Sequence, residues 1–159
     1  MFGSPIDDLL DRLYAQNAGQ AEALESYFTA RAEEGSLDWN GFDDDANNFL
    51  RDKLVALDRA KAEFCYQVCR ATGARRVVEA GTSFGVSTVF LALAVRDNLR
   101  QHSRGGVSGD SQASVVIGTE LEPEKARIAR ATAVSAAPAG TPSTKLLSSL
   151  MTSTGKSFK

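Results

Sequence analysis

The residues whose types and spacing could do chemistry lie in one stretch, Val77-Val78-Glu79-Ala80-Gly81-Thr82-Ser83-Phe84-Gly85-Val86-Ser87-Thr88-Val89-Phe90-Leu91. A β-branched run ends in an acid, two glycines follow with three residues between them, and an apolar helical pattern begins at once. The pattern predicts a strand, a tight turn and a helix. The first backbone N–H groups of such a helix have no partner within it and carry the positive end of its dipole, so a carboxylate or phosphate can bind there. Gly81 and Gly85 permit backbone angles that a Cβ would hinder and let a ligand approach the main chain. Ser87 adds a hydroxyl in the first turn of the helix.

The spacing also disfavours two ligand classes. A dinucleotide fingerprint needs Gly-x-Gly-x-x-Gly so that main chain can close on a pyrophosphate, and Ser83 occupies its middle glycine position. A phosphate-binding P-loop needs Gly-Lys-Ser/Thr after the glycines; the Gly155-Lys156-Ser157 triplet has Leu150 where the first glycine belongs.

A second acid stands in a matching place. Val115 to Thr119 predicts a second strand ending in Glu120, and Pro123 suits the first turn of a helix through Ala126, Ile128, Ala129 and Ala131. A strand, crossover helix and strand in this order pair in parallel with a right-handed connection, which brings Glu79, Gly81 and Glu120 to one edge of the sheet. A carboxylate at the end of the second strand can accept hydrogen bonds from both hydroxyls of a ribose.

Glu79 to Ser87 resembles motif I of the S-adenosylmethionine-dependent methyltransferases, in the form found in small-molecule O-methyltransferases of the catechol and caffeoyl-CoA type. Val115-Val-Ile-Gly-Thr-Glu120-Leu-Glu-Pro-Glu-Lys125 resembles the second strand and following helix start of that family. The resemblance covers roughly residues 43–131. It implies a Rossmann-like α/β fold and S-adenosylmethionine as cofactor, with Ser87 and nearby amides on the methionine carboxylate. Glu79 would then face the ammonium side, and Ala80, Gly81, Thr82, Ser83 and Gly85 would lie in the cofactor-binding turn. Glu120 would take the ribose. The family's chemistry is in-line transfer of the sulfonium methyl to the hydroxyl of a small-molecule substrate.

Length and composition agree with a globular protein. The chain has 159 residues, enough for one domain of ordinary size, with 43% hydrophobic and 24% charged residues. A formal charge of −2 offers no general electrostatic attraction to nucleic acid or anionic membrane. No run approaches the ~18 apolar residues of a membrane span. The start, Met1-Phe-Gly-Ser-Pro-Ile-Asp-Asp8, lacks the basic region and apolar run of a signal peptide, so a cytoplasmic location is the expectation. Cys65 and Cys69 sit four apart in a helical pattern, unsuited to a mutual disulfide and too few for a zinc site; they are read as small core residues.

The elements that must position the site begin with helices. Ile6, Leu9, Leu10, Leu13 and Tyr14 recur at helical spacing, with Ser4 as the cap and Pro5 in the first turn, Asn17-Ala-Gly19 interrupts, and Ala21, Leu24, Tyr27 and Phe28 continue on one face. Gly35 to Gly41 reads as a loop with Trp39 as a packing anchor, the alternative being a lid over the ligand. Asp43-Asp44-Asp45 is read as cap and dipole partners rather than a metal site, with Leu50, Leu54 and Leu57 as the buried stripe of the helix that follows. Asp58 caps a second helix through Phe64, Cys65, Val68 and Cys69, closed by Thr72-Gly73. After the turn, Val86, Val89, Phe90 and Leu93 point inward on a helix ending near Asn98. Leu99 to Ala113, with the single His102, reads as an exposed loop.

From about Ala133 the sequence is rich in Ser and Thr, carries no acid and is expected to be disordered. The organisation expected is therefore a helical region over 1–72, a partial Rossmann-like cofactor-binding domain over 73–132 and a non-family tail over 133–159. The family's remaining strands, any metal ligands and the catalytic base lie in segments with no counterpart here, so no catalytic residue or metal ligand is nominated. The expectation is a C-terminally truncated O-methyltransferase of doubtful activity, with two parallel strands and much uncovered apolar surface. The alternative is a non-catalytic nucleotide-binding or dimerisation fragment, a homodimer forming through the N-terminal helices.

Overall fold

The computed structural model describes residues 1–38, 41–104, 114–136 and 149–152. Trp39 and the stretch 105–113 lie outside them, so the packing-anchor and lid readings of Trp39 do too.

The fold is α/β: four helices precede an incomplete parallel sheet. Helix α1 (Ser4–Ala18) and α2 (Ala21–Glu33) are followed by the short α3 (Asp44–Leu50) and by α4 (Arg59–Ala71). Then come β1 (Arg76–Ala80), α5 (Val86–Arg104), β2 (Val115–Glu120), α6 (Pro123–Ser135) and β3 (Ser149–Thr152). The strands lie in the order β1-β2-β3, all parallel, with Val77 opposite Val116 and Ala80 opposite Thr119. Both crossovers step the same way, so right-handed connections put α5 and α6 on one face. Burial agrees: Val116 is covered, whereas Val78, whose side chain points to the other face, is 72% exposed.

The main core lies between α1 and α5. Ile6, Leu9, Leu10 and Leu13 of α1 meet Val86, Val89, Phe90 and Leu93 of α5, with Leu54, Ala62 and Phe84 in the same cluster. Spacing of three and four brings each set onto one helix face. The apolar stripe of α1 is thus buried within the chain, whereas α2 has no buried residue. Tyr27 and Phe28 of α2 instead gather around Phe49, Tyr27 stacking on it at 3.8 Å between ring centroids.

Caps follow local chemistry. Asp58 accepts from the Ala60 and Lys61 amides at the start of α4, and Gly73, at φ 63°, closes it; Gly73 N donates to Arg70 O and Ala74 N to Cys69 O, the paired bonds of a left-handed C-terminal cap. Asp58→Ala is expected to lower stability by about 1 kcal/mol, read as a shift in urea midpoint at unchanged slope. At α1 the cap differs from expectation. Gly3 is the capping residue and Ser4 bonds Asp8, while Asp7 reaches back to the Phe2 and Gly3 amides. Of the three consecutive acids, Asp43 caps α3 through the Ala46 amide and pairs with Arg31, which also bonds Asp45.

Four expectations are corrected. The helix after the acids ends at Leu50; residues 54–57 are neither helix nor strand, with Leu54 fully buried and Leu57 37% exposed, because side chains from α1 and the α1–α2 corner take their backbone groups. Cys65 and Cys69 are free but only half-buried, and burial with Cys65 nearby pushes the Cys69 thiol up. Helix α5 continues through Leu99 to Arg104, carrying an exposed His102. Helix α6 reaches Ser135, and residues 149–152 of the supposed disordered tail form the third strand against β2. The rest of that tail, 137–148 and 153–159, lies outside the described residues.

A polar bridge joins α4 to α5: Tyr66 donates to Asp97 at 2.9 Å, and Arg96 Nε donates to the other carboxylate oxygen at 2.9 Å. Burial raises the Asp97 carboxyl, but these hydrogen bonds together with the charges of Arg96 and Arg70 offset it and leave the group below the usual carboxylate range. A carboxyl lowered by folding contributes stability above its unfolded value and loses it as pH falls through the folded value. The urea midpoints of the wild type and Asp97→Asn are therefore expected to differ at pH 7 and to converge on acidification below about pH 4. Among the described residues no helix is long and apolar enough to cross a membrane.

Candidate functional site

The turn between β1 and α5 takes positive φ at three of five positions, Gly81 (79°), Ser83 (50°) and Gly85 (88°). The two glycines serve different ends. A Cβ on Gly81 would meet nothing within 4 Å, so the conformation alone requires glycine there. A Cβ on Gly85 would sit 3.3 Å from Ala129 Cα and O, so this glycine lets α6 pack on the turn, and its α-carbon is turned to protein rather than to a ligand.

The turn is tied to both strands. Gly81 N and Thr82 N both donate to Thr119 O at 3.0 Å. Glu79 accepts from the Thr82 hydroxyl at 3.0 Å and from the Thr88 hydroxyl in the first turn of α5, so one of its oxygens braces the loop. Thr82 and Ser83 are buried, while Gly81 is exposed and Ser87 half-buried. The helix that starts at Val86 presents its first amides beside Ser87, since helix geometry gives them no internal acceptor.

Glu120 lands on this turn. Its Oε2 accepts from Ser83 N at 2.7 Å, and its Oε1 accepts from Leu121 N at 2.8 Å and Glu122 N at 3.0 Å. A carboxylate has about four lone-pair positions, so these amides leave about one for a ligand. Acceptance of both hydroxyls of a ribose, the role expected of Glu120, would require one of these amides to give way.

Beside the turn a groove of about 550 Å³ runs along β1, lined by Val78, Gly81 and Ser87 on one side and by Val55, Leu57 and Cys65 on the other. The sheet edge is open here, since β1 has a strand neighbour on its β2 side only among the described residues. Of the sequence-derived candidates, Glu79, Ala80, Gly81 and Ser87 reach the groove, Thr82 and Ser83 are buried in the turn and do not line it, Gly85 faces α6, and Glu120 anchors Ser83.

Two features near the site escaped the sequence. Residues 55–57 form a wall of the groove, though Leu54 and Leu57 read as helical. Lys125 lies buried in the first turn of α6, where burial lowers its ammonium pKa against the opposing pull of Glu120, Glu122 and Asp52. A lysine at a helix N-terminus runs against the dipole, and that was the signal that could have found it. No group of three or more His, Cys, Asp or Glu able to hold a metal occurs among the described residues.

No protein-family model and no curated protein matches the chain. Among solved structures, cofactor-bound Rv0187 from MTB is 27% identical over 57% of this chain and 35% of its own, with a TM-score of 0.40. The O-methyltransferase from Bacillus cereus in complex with SAH is 23% identical over 58% of this chain and 35% of its own, with a TM-score of 0.42. The chain spans about a third of the length of each.

Proposed function

We propose that this chain carries the S-adenosylmethionine-binding half of an O-methyltransferase-type domain. The observation that carries the reading is the 2.7 Å bond from Ser83 N to Glu120 Oε2, which joins the acid ending β2 to the glycine turn ending β1. Glu120 then faces ribose hydroxyls, Gly81 opens the turn to the ligand, and Ser87 with the first α5 amides receives the methionine carboxylate. Glu79 keeps an oxygen for the ammonium side. The cofactor supplies the electrophilic methyl group. What these residues do is bind and orient it, and positioning of this kind contributes much of the rate in such transfers. The acceptor, a small-molecule hydroxyl, must still lose its proton, and no described residue is assigned to that step.

Calorimetry with S-adenosylmethionine and S-adenosylhomocysteine tests the reading: saturable binding of both is expected, and no heat with either overturns it. Methyl transfer to a panel of phenols is expected to be undetectable with this chain alone.

The second reading is a non-catalytic interaction fragment, favoured by exposed apolar side chains, Val55, Leu57 and Val78 at the groove and Phe64 and Val68 on α4. Concentration-dependent association in sedimentation would support it, and a sharp monomeric thermal transition would count against it.

A further inference from the structure

The segment 54–57 belongs to no helix and no sheet. Its backbone is held instead by side chains. Leu54 N donates to Gln20 Oε1 at 3.0 Å and Gln20 Nε2 donates to Leu54 O at 3.1 Å, so the Gln20 amide acts as a neighbouring peptide would. Ala56 N donates to Asn17 Oδ1 at 3.1 Å, and the Tyr14 hydroxyl donates to Leu57 O at 3.0 Å. These partners are 34, 39 and 43 residues away in sequence, all in α1 or the α1–α2 corner.

The amide between them points the other way. Val55 N donates to Ser83 Oγ at 3.1 Å, and Ser83 in turn donates its own N–H to Glu120. Ser83 is the one residue among those described that holds a positive φ without being glycine. Such a conformation persists where surrounding bonds over-determine it, and here two bonds do so, one at the hydroxyl and one at the amide. The path Asn17 and Gln20, then residues 54–57, then Ser83, then Glu120 is continuous in hydrogen bonds.

We propose that the 54–57 segment is a splint for the cofactor turn, and that Asn17 and Gln20 are positioning residues which fix the Ser83–Glu120 contact from the N-terminal helices. Its consequence for ligand affinity rests on the S-adenosylmethionine reading. The splint itself does not. The N-terminal helices thereby acquire a function beyond covering α5: they set the register of the wall that lines the groove and hold the turn in its binding conformation before any ligand arrives.

The experiment uses the full chain and two readouts, amide hydrogen exchange resolved by residue and calorimetric affinity for S-adenosylhomocysteine. In Asn17→Leu and in Gln20→Leu, protection of the Val55 and Ser83 amides is expected to fall about tenfold, the worth of one hydrogen bond, while Phe90 and Leu93 in α5 keep theirs. Affinity is expected to fall about tenfold as well. Asn17→Asp keeps the oxygen that Ala56 N uses, so both readouts are expected to stay within about twofold of wild type, a rescue that loss of packing alone would not give. Should the leucine variants not fold, Ser83→Ala removes only the hydroxyl acceptor and is expected to release Val55. Unchanged Ser83 protection in the leucine variants, or a fall shared equally by Phe90, overturns the splint. Lost protection with unchanged affinity overturns the positioning role. If the wild type binds no S-adenosylhomocysteine, the cofactor reading fails, and exchange still decides whether the splint exists.

Discussion

Glu120→Ala is expected to weaken S-adenosylhomocysteine binding about 100-fold. The carboxylate contributes twice. Towards a ligand it offers a charge-assisted hydrogen bond to a sugar hydroxyl, of about 1.5–3 kcal/mol. Towards the protein it accepts the Ser83 amide, in a residue that is 8% exposed. Alanine leaves that buried donor without an acceptor, at about 1–3 kcal/mol, and frees the turn to leave its binding conformation. The Leu121 and Glu122 amides lose less, because Leu121 is 66% exposed and water can replace the carboxylate there. Glu120→Gln keeps one acceptor oxygen but turns an NH2 towards amide donors, so an intermediate loss of about tenfold is expected. Calorimetry with urea denaturation on the same samples separates the two contributions. Wild-type affinity in Glu120→Ala would remove the acid from the site.

Gly85→Ala should cost about 3 kcal/mol of stability, against about 1 kcal/mol for Gly81→Ala. Both positions hold positive φ, which costs an L-residue about 1–2 kcal/mol. Only at Gly85 is there also something to strike: backbone atoms of Ala129 at 3.3 Å, in a helix that cannot retreat without uncovering the core. Overpacking of this kind adds about 1–3 kcal/mol. The two variants should also differ in kind. Gly85→Ala shifts the urea midpoint strongly, whereas Gly81→Ala, whose Cβ would project into open space, is expected to reduce ligand affinity more than stability. Equal destabilisation by both would mean that the α6 contact is not what selects glycine at position 85.

Local chemistry was legible in the sequence wherever cause and effect lie within one turn of chain. The Asp58 cap, the Gly73 closure, the inward face of α5 and the strand–turn–helix at Glu79 to Ser87 each depend on residues a few positions apart. The parallel pairing of β1 with β2 was legible too, because a strand, helix and strand in succession leave one economical topology. What the sequence could not disclose is where long-range partners replace local ones. Leu50, Leu54 and Leu57 carry helical spacing, yet Gln20 and Asn17 take the backbone groups that a helix would have used.

The same limit separates the two levels at the site. Sequence alone determined that two acids and a glycine turn would meet at one sheet edge, since strand ends in a parallel unit are fixed by chain order. Only the tertiary structure decided how each is used. Glu79 braces two threonine hydroxyls, Gly85 makes room for Ala129, and Glu120 holds three amides, because each of those duties is set by neighbours that packing brings from elsewhere in the chain or from the adjoining turn.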